Sequence, residues 1–187
     1  MTKKLEALGM VELSSIAVAY LVEDALLKAT YVDLLVARTI CSGKYIVMVG
    51  GQVASVEASL RAGRAVSREA LIDELFIPNI DQRVFPAITG GVALKDKDKD
   101  ALGILEAFSV TSIIEGADAA VKAADVTLFR IHVAMAIGGK GFLMLTGDVS
   151  DVEAAIEAGA RQIAKRGLLV SKVVIPRPDE RLYRETI

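Results

Sequence analysis

Short apolar stretches alternate with longer amphipathic ones, and the chain runs through the same cycle twice. Residues 7–13 and 101–107 are apolar over the length of a strand. A helical pattern follows each, over residues 15–29 and 109–123, with Ser15 and Ser109 placed to cap the helix by accepting from an unpaired backbone N–H. In the first helix Val18, Leu21, Val22, Ala25 and Ala29 recur at helical spacing and predict its buried face. Next come β-branched strands over residues 32–40 and 126–135. Each ends at a glycine-containing turn, Cys41-Ser42-Gly43 in the first cycle and Gly138-Gly139-Lys140-Gly141 in the second. Third strands over 45–49 and 142–145, helices over about 53–65 and 150–166, and strands reaching Pro78 and Pro176 complete the two cycles. The order β-α-β-β-α-β predicts an α/β (α+β) protein of two tandem ferredoxin-like domains. Such a sheet covers one face with two helices and leaves the other face and its edges for partners.

The cycles share residues as well as rhythm. Leu8-Gly9-Met10-Val11-Glu12 reads against Leu102-Gly103-Ile104-Leu105-Glu106 at an offset of 94, and Asp24 and Lys28 read against Asp118 and Lys122. Beyond the turn the offset becomes 96, pairing Gly43-Lys44 with Gly139-Lys140 and Val56-Glu57-Ala58 with Val152-Glu153-Ala154. Ile77-Pro78 matches Ile175-Pro176. Gly, Lys, Glu and Pro kept in order identify a duplication rather than chance apolar similarity. The domains are set at residues 5–94 and 101–185, joined by the alternating run Lys95-Asp96-Lys97-Asp98-Lys99-Asp100, which has nothing to bury and reads as a solvated linker.

Composition narrows the function classes. Lys and Arg number 22 against 24 Asp and Glu, a net charge of −2, which argues against a nucleic-acid binder. Hydrophobic residues make up 53%, so much surface is expected to be buried in cores or against other subunits. The longest apolar run, residues 16–22, is far short of the ~20 residues a spanning helix needs. The first residues, Met1-Thr2-Lys3-Lys4-Leu5-Glu6, lack a secretory signal. One cysteine and one histidine leave no intrachain disulfide and no Cys- or His-rich metal site within a chain. There is no phosphate-binding loop or dinucleotide fingerprint, and Cys41 with the distant His132 is no nucleophile–base pair. Nothing points to an enzyme, and Glu12 and Glu106, at corresponding strand ends, read as a duplicated structural feature.

The Leu8–Glu12 motif, the Lys28-Ala29 helix end, the Gly43 turn, Gly51-x-Val53 and Ile175-Pro176-Arg177-Pro178 resemble the bacterial microcompartment shell domain. The resemblance covers both halves and so extends to the tandem-domain shell proteins. Thr39-Ile40-Cys41-Ser42-Gly43-Lys44 and Gly138-Gly139-Lys140 bring it nearest to the T-type of propanediol-utilisation compartments. The resemblance implies a homotrimer that imitates a hexameric flat tile, packed edge to edge with other shell proteins around encapsulated enzymes in the bacterial cytoplasm. It implies that Ser42, Gly43, Gly138, Gly139 and Lys140 line a central pore, and that Lys28, Lys122 and Arg177 make tile-edge contacts. Asn79 stands after Pro78 where Arg177 follows Pro176, so the first half lacks that edge arginine.

A lone cysteine is by composition a small buried hydrophobe. Cys41, however, begins a turn whose counterpart in the second half has no thiol, so a trimer of tandem domains carries three thiols around one axis. The resemblance carries onto Cys41 the role of ligand to a 4Fe–4S cluster shared by three subunits. With three thiolates instead of four, one iron has no protein thiolate and a 3Fe–4S form is accessible. Zinc or no metal are the alternatives at Cys41. Lys44 and Lys140 read equally as a cationic bias on the pore and as solvated strand ends. Other readings of the whole are a cluster-free gated pore, or a regulatory module whose Gly43 and Gly139 turns cradle a small molecule.

Overall fold

The computed structural model describes residues 5–90, 92–94, 100–134 and 137–183. The charged linker at 95–99 and the end of the strand expected to reach residue 135 lie outside them. The chain divides into two compact units, Met1–Ile80 and Asp81–Ile187. In the first, β1 (Ala7–Leu13), α1 (Ile16–Ala29), β2 (Asp33–Ile40), β3 (Lys44–Gly51), α2 (Val53–Ser67) and β4 (Leu71–Pro78) form an antiparallel sheet ordered β2-β3-β1-β4. The second adds a short helix, α3 (Val84–Thr89), and repeats the plan as β5 (Ala101–Ala107), α4 (Val110–Ala123), β6 (Thr127–Val133), β7 (Gly141–Gly147), α5 (Val149–Ala164) and β8 (Leu169–Ile175). Its sheet runs β6-β7-β5-β8. This is the expected tandem ferredoxin-like α/β architecture.

The duplication extends to irregularities. The β1–β4 register shifts between Glu12 and Leu13, and the β5–β8 register between Glu106 and Ala107. The β2–β3 ladder shifts between Leu34 and Val36, and β6–β7 between Leu128 and Arg130. Ser15 and Ser109 cap α1 and α4 as expected, accepting from Val18 N at 3.4 Å and Ser112 N at 3.1 Å. Gly9 and Gly103 let the second helix of each unit lie directly on the central strand. A Cβ there would come within 2.7 Å of Val56 or Ile156, closer than packed carbons allow.

Two expectations are corrected. The buried stripe of α1 is Ala19, Val22 and Leu26, while Leu21 and Ala29 are exposed. Apolar residues run nearly around this helix, so periodicity admits overlapping stripes; Leu26 and Val22 are chosen because they meet α2 at Gly63. Secondly, the sheet face away from the helices is not open in the first unit, where Leu8, Met10, Ile46 and Met48 are fully buried. The corresponding Ile104, Phe142 and Met144 of the second unit are half-buried. The second compact unit begins at Asp81 and so includes residues 81–90. α3 buries Val84, Phe85, Ala87 and Ile88 against β6 and the end of α4.

Candidate functional site

The first turn follows directly from the ladder that leads to it. β2 and β3 pair as far as Ile40 opposite Lys44, so only Cys41, Ser42 and Gly43 remain to reverse the chain. A reversal this tight needs left-handed backbone, and Ser42 (φ 64°) and Gly43 (φ 71°) supply it. Space does not dictate the glycine, because a Cβ on Gly43 would meet nothing within 4 Å; the φ angle does. Cys41 is a half-buried thiol, outside any disulfide, at the start of this turn. Lys44 lies at its far side and is partly exposed. Its Nζ donates to Glu12 Oε1 on β1 at 2.8 Å, and the Glu12 carboxylate is almost wholly buried.

The second turn is longer and differs in sequence, yet it is tied down identically. Ala134 N donates to Lys140 O at 3.1 Å, and Lys140 N to Ile137 O at 3.4 Å. Ala134 (φ 53°), Gly138 (φ 67°) and Gly139 (φ 85°) are left-handed. Lys140 Nζ donates to Glu106 Oε1 at 2.8 Å, the counterpart of the Lys44–Glu12 pair. Both lysines therefore strap the turn to the central strand, each with its charge balanced by a glutamate. Glu12 and Glu106, read as a duplicated structural feature, are the other halves of those straps. His132 stacks on Phe142, with ring centroids 5.0 Å apart.

The tile-edge candidates lie away from the turns. Lys28, near the end of α1, is strongly exposed and pairs with Asp24 at 2.8 Å. Lys122 pairs with Asp118 at 2.6 Å, but its surroundings are more elaborate. Asp118 Oδ1 also accepts from Asp81 N at 2.8 Å. The Asp81 carboxylate is held by Arg83, whose Nε and Nη2 each donate to it at 2.9 Å. This bonding holds the Asp81 carboxyl below the usual carboxylate range. Arg83 also donates to the carbonyl of Val121, in the last turn of α4 where helical partners run out, and to that of Val126, just before β6. Arg177 is exposed just beyond β8.

Sequence reasoning missed this Asp81–Arg83 clip. The signal is in the sequence: Asp81-x-Arg83 stands just beyond the repeated Ile77-Pro78. Within one chain, no group of three or more His, Cys, Asp or Glu able to hold a metal occurs among the described residues. Cys41 offers one thiol at the start of a tight turn.

Two duplicated α/β units with strapped strand turns define a tandem-repeat protein, and comparison with known proteins places it. The BMC domain matches residues 7–80 and 101–178. The chain belongs to the BMC-domain family of bacterial microcompartment shell proteins. It is 44% identical over 183 residues to the bacterial microcompartment shell protein PduT of Citrobacter freundii, covering 97% of this chain and 98% of that one. It is also 44% identical over 79 residues, 42% of this chain, to the shell protein EutM of Salmonella typhimurium, covering 80% of that protein. A solved microcompartment protein of Desulfitobacterium hafniense DCB superimposes with a TM-score of 0.92 at 44% identity, covering 97% of this chain and 99% of that one.

Proposed function

We propose that three copies of this chain form a structural, non-catalytic tile of a microcompartment shell, and that their Cys41 turns meet at a central pore and hold one 4Fe–4S cluster. The observation that carries the reading is the inequality of two equivalent turns. Both are left-handed and both are strapped by a Glu–Lys pair, but only the first presents a thiol. Three copies then supply three thiolates, and the Gly138-Gly139 turns between them supply none. When bound, such a cluster provides one-electron transfer. The protein's part is to fix the thiolates: the ladder ends at Ile40 and Lys44, and the buried Glu12 holds Lys44 in place and cancels its charge. Ser42, Gly43, Gly138, Gly139 and Lys140 line the pore in this reading. The tiles meet neighbouring shell proteins through Lys28, Lys122 and Arg177, around enclosed redox enzymes.

The test is iron and acid-labile sulfide per chain, with an absorption spectrum, on protein purified without oxygen, beside Cys41→Ser. The expected result is about four irons per three chains, lost in the variant. Colourless protein after anaerobic reconstitution would remove the cluster and leave a pore for a metabolite. Electron microscopy of Arg177→Glu tests the edge: sheets should fail while the oligomer persists.

A further inference from the structure

The repeat continues past the sheets. At an offset of 98, Ile77-Pro78-x-x-Asp81-x-Arg83 reads against Ile175-Pro176-x-x-Asp179-x-Arg181. Both copies fold alike locally. Asp179 Oδ1 accepts from the Arg181 backbone N at 3.0 Å and from its Nε at 2.8 Å, and Oδ2 accepts from Nη2 at 2.7 Å. In the first copy Asp81 Oδ1 accepts from Arg83 N at 3.0 Å and from Nε at 2.9 Å, and Oδ2 accepts from Nη2 at 2.9 Å.

Their surroundings differ. The first clip is seated on α4, through Asp81 N to Asp118 and Arg83 to the carbonyls of Val121 and Val126. The second stands in solvent: the Asp179 and Arg181 side chains are 53% and 82% exposed. Leu182, the counterpart of the fully buried Val84, is exposed. Tyr183 donates to Asp100 O at 2.6 Å and so anchors the end of the segment on its own unit, with the clip held outward.

The seat is duplicated too, and nothing among the described residues covers its second copy. Asp118–Lys122 and the Val121 and Val126 carbonyls correspond to Asp24–Lys28 and the carbonyls of Leu27 and Val32. Beside the filled seat Val121 and Leu128 are 1% and 2% exposed; their counterparts Leu27 and Leu34 are 38% and 42% exposed, next to an exposed Tyr31. The described residues of each chain thus present an exposed clip and an uncovered seat, and the filled pair shows how they fit.

We propose that the Asp179–Arg181 clip of one copy docks on the first unit of a second copy. Asp179 N donates to Asp24, Arg181 donates to the carbonyls of Leu27 and Val32, and Leu182 covers Leu27 and Leu34. This is a head-to-tail contact, which closes into a ring if the rotation between copies permits. It rests on the trimeric reading above and names the residues that join the copies.

Sedimentation velocity and native mass spectrometry of the full chain, over a range of concentrations, test it. Arg181→Glu and Leu34→Asp, both at exposed positions, are each expected to raise the concentration of half-dissociation at least about tenfold, with the circular dichroism spectrum unchanged. In a Cys41→Ser background, Asp24→Cys with Asp179→Cys is expected to give disulfide-linked oligomers, because the equivalent Asp81 N and Asp118 Oδ1 are 2.8 Å apart. The cross-link decides the matter should Leu34→Asp fail to fold. A wild-type oligomer indifferent to Arg181→Glu and giving no cross-link, or giving only one within a chain, overturns the clip and leaves the tile standing. A wild-type chain that is monomeric at every concentration overturns both.

Discussion

Helices α1 and α4 are one element written twice, and they end up in different places. Both are 14 residues long, both are capped by serine, and both carry Asp and Lys four apart in the last two turns. Yet α1 buries only Ala19, Val22 and Leu26, whereas α4 buries residues on nearly every side. At the C-terminal end the cause is visible: α3 and the Asp81–Arg83 clip lie over α4 and β6. Nothing of this kind precedes β1 among the described residues. The lesson is that a duplicated domain keeps the surface its twin uses. Apolar residues left bare in one copy and covered in the other mark a contact that the chain makes with itself or with another copy.

The comparison is broken most severely in the core. Leu128→Ala removes a side chain that is 2% exposed and is expected to destabilise the second unit by ~2–5 kcal/mol. Leu34→Ala, at the same position of the other repeat, should cost the folded chain under ~0.5 kcal/mol. Urea unfolding at a concentration where the chain is monomeric separates the two. Equal losses would mean that Leu34 is covered within one chain.

The turn straps give a smaller contrast. Glu12 is nearly buried against a Lys44 that still reaches water, so Glu12→Gln is expected to cost ~1–2 kcal/mol. Glu106 is about a third exposed, and Glu106→Gln should cost less than ~1 kcal/mol. Thermal unfolding measures both. If the strap fixes the Cys41 turn, the first substitution alone also changes the rate at which Cys41 reacts with iodoacetamide.

The clips are separated by a single arginine each. Arg83→Ala leaves the Val121 and Val126 carbonyls and the Asp81 carboxylate without their donor, at ~1–2 kcal/mol after allowing for its partial exposure. The chain stability of Arg181→Ala should be unchanged, with its effect confined to association.

How much of this was legible in advance follows from where the information lies. Strand and helix order, both serine caps and the turn positions came from local periodicity and from the match between Leu8–Glu12 and its copy, because they depend on neighbours within a few residues. The buried side of α1 was not legible. Its apolar residues encircle the helix, and the choice among them is made by Gly63 on α2. The role of Lys44 was hidden for a similar reason: its partner Glu12 is 32 residues away and adjacent only once β1 and β3 pair. Cys41 stands out in the sequence because it is single, and what it binds was not legible, since one thiol makes no ligand set among the described residues of one chain. The Asp-x-Arg clip was legible, just beyond the repeated Ile77-Pro78.

The smallest effect is a matter of pH, and it sharpens the contrast between the two clips. Arg83 holds the Asp81 carboxyl below its ordinary value, and Arg181 holds Asp179 down to about 2, in both cases first through side-chain hydrogen bonds. A carboxyl whose folded value lies below its unfolded value, near ~3.9, contributes stability that is complete above that value and is lost as pH falls through the folded one. Both clips should therefore hold at neutral pH and open only in acid, Asp179 around pH 2. They should part company in salt. Asp179 and Arg181 are exposed, and charges in water are screened over ~3 Å at 1 M salt. Asp81 has its backbone N seated on Asp118, and its arginine also holds two carbonyls. NMR titration of the aspartate carboxyls is expected to show Asp179 rising toward its ordinary value in 1 M salt while Asp81 stays low. In the associated state Asp179 should acquire the same indifference to salt, because its arginine would then be held by the Leu27 and Val32 carbonyls of another copy. A salt response identical in monomer and oligomer would show that this clip remains in solvent and that the copies join elsewhere.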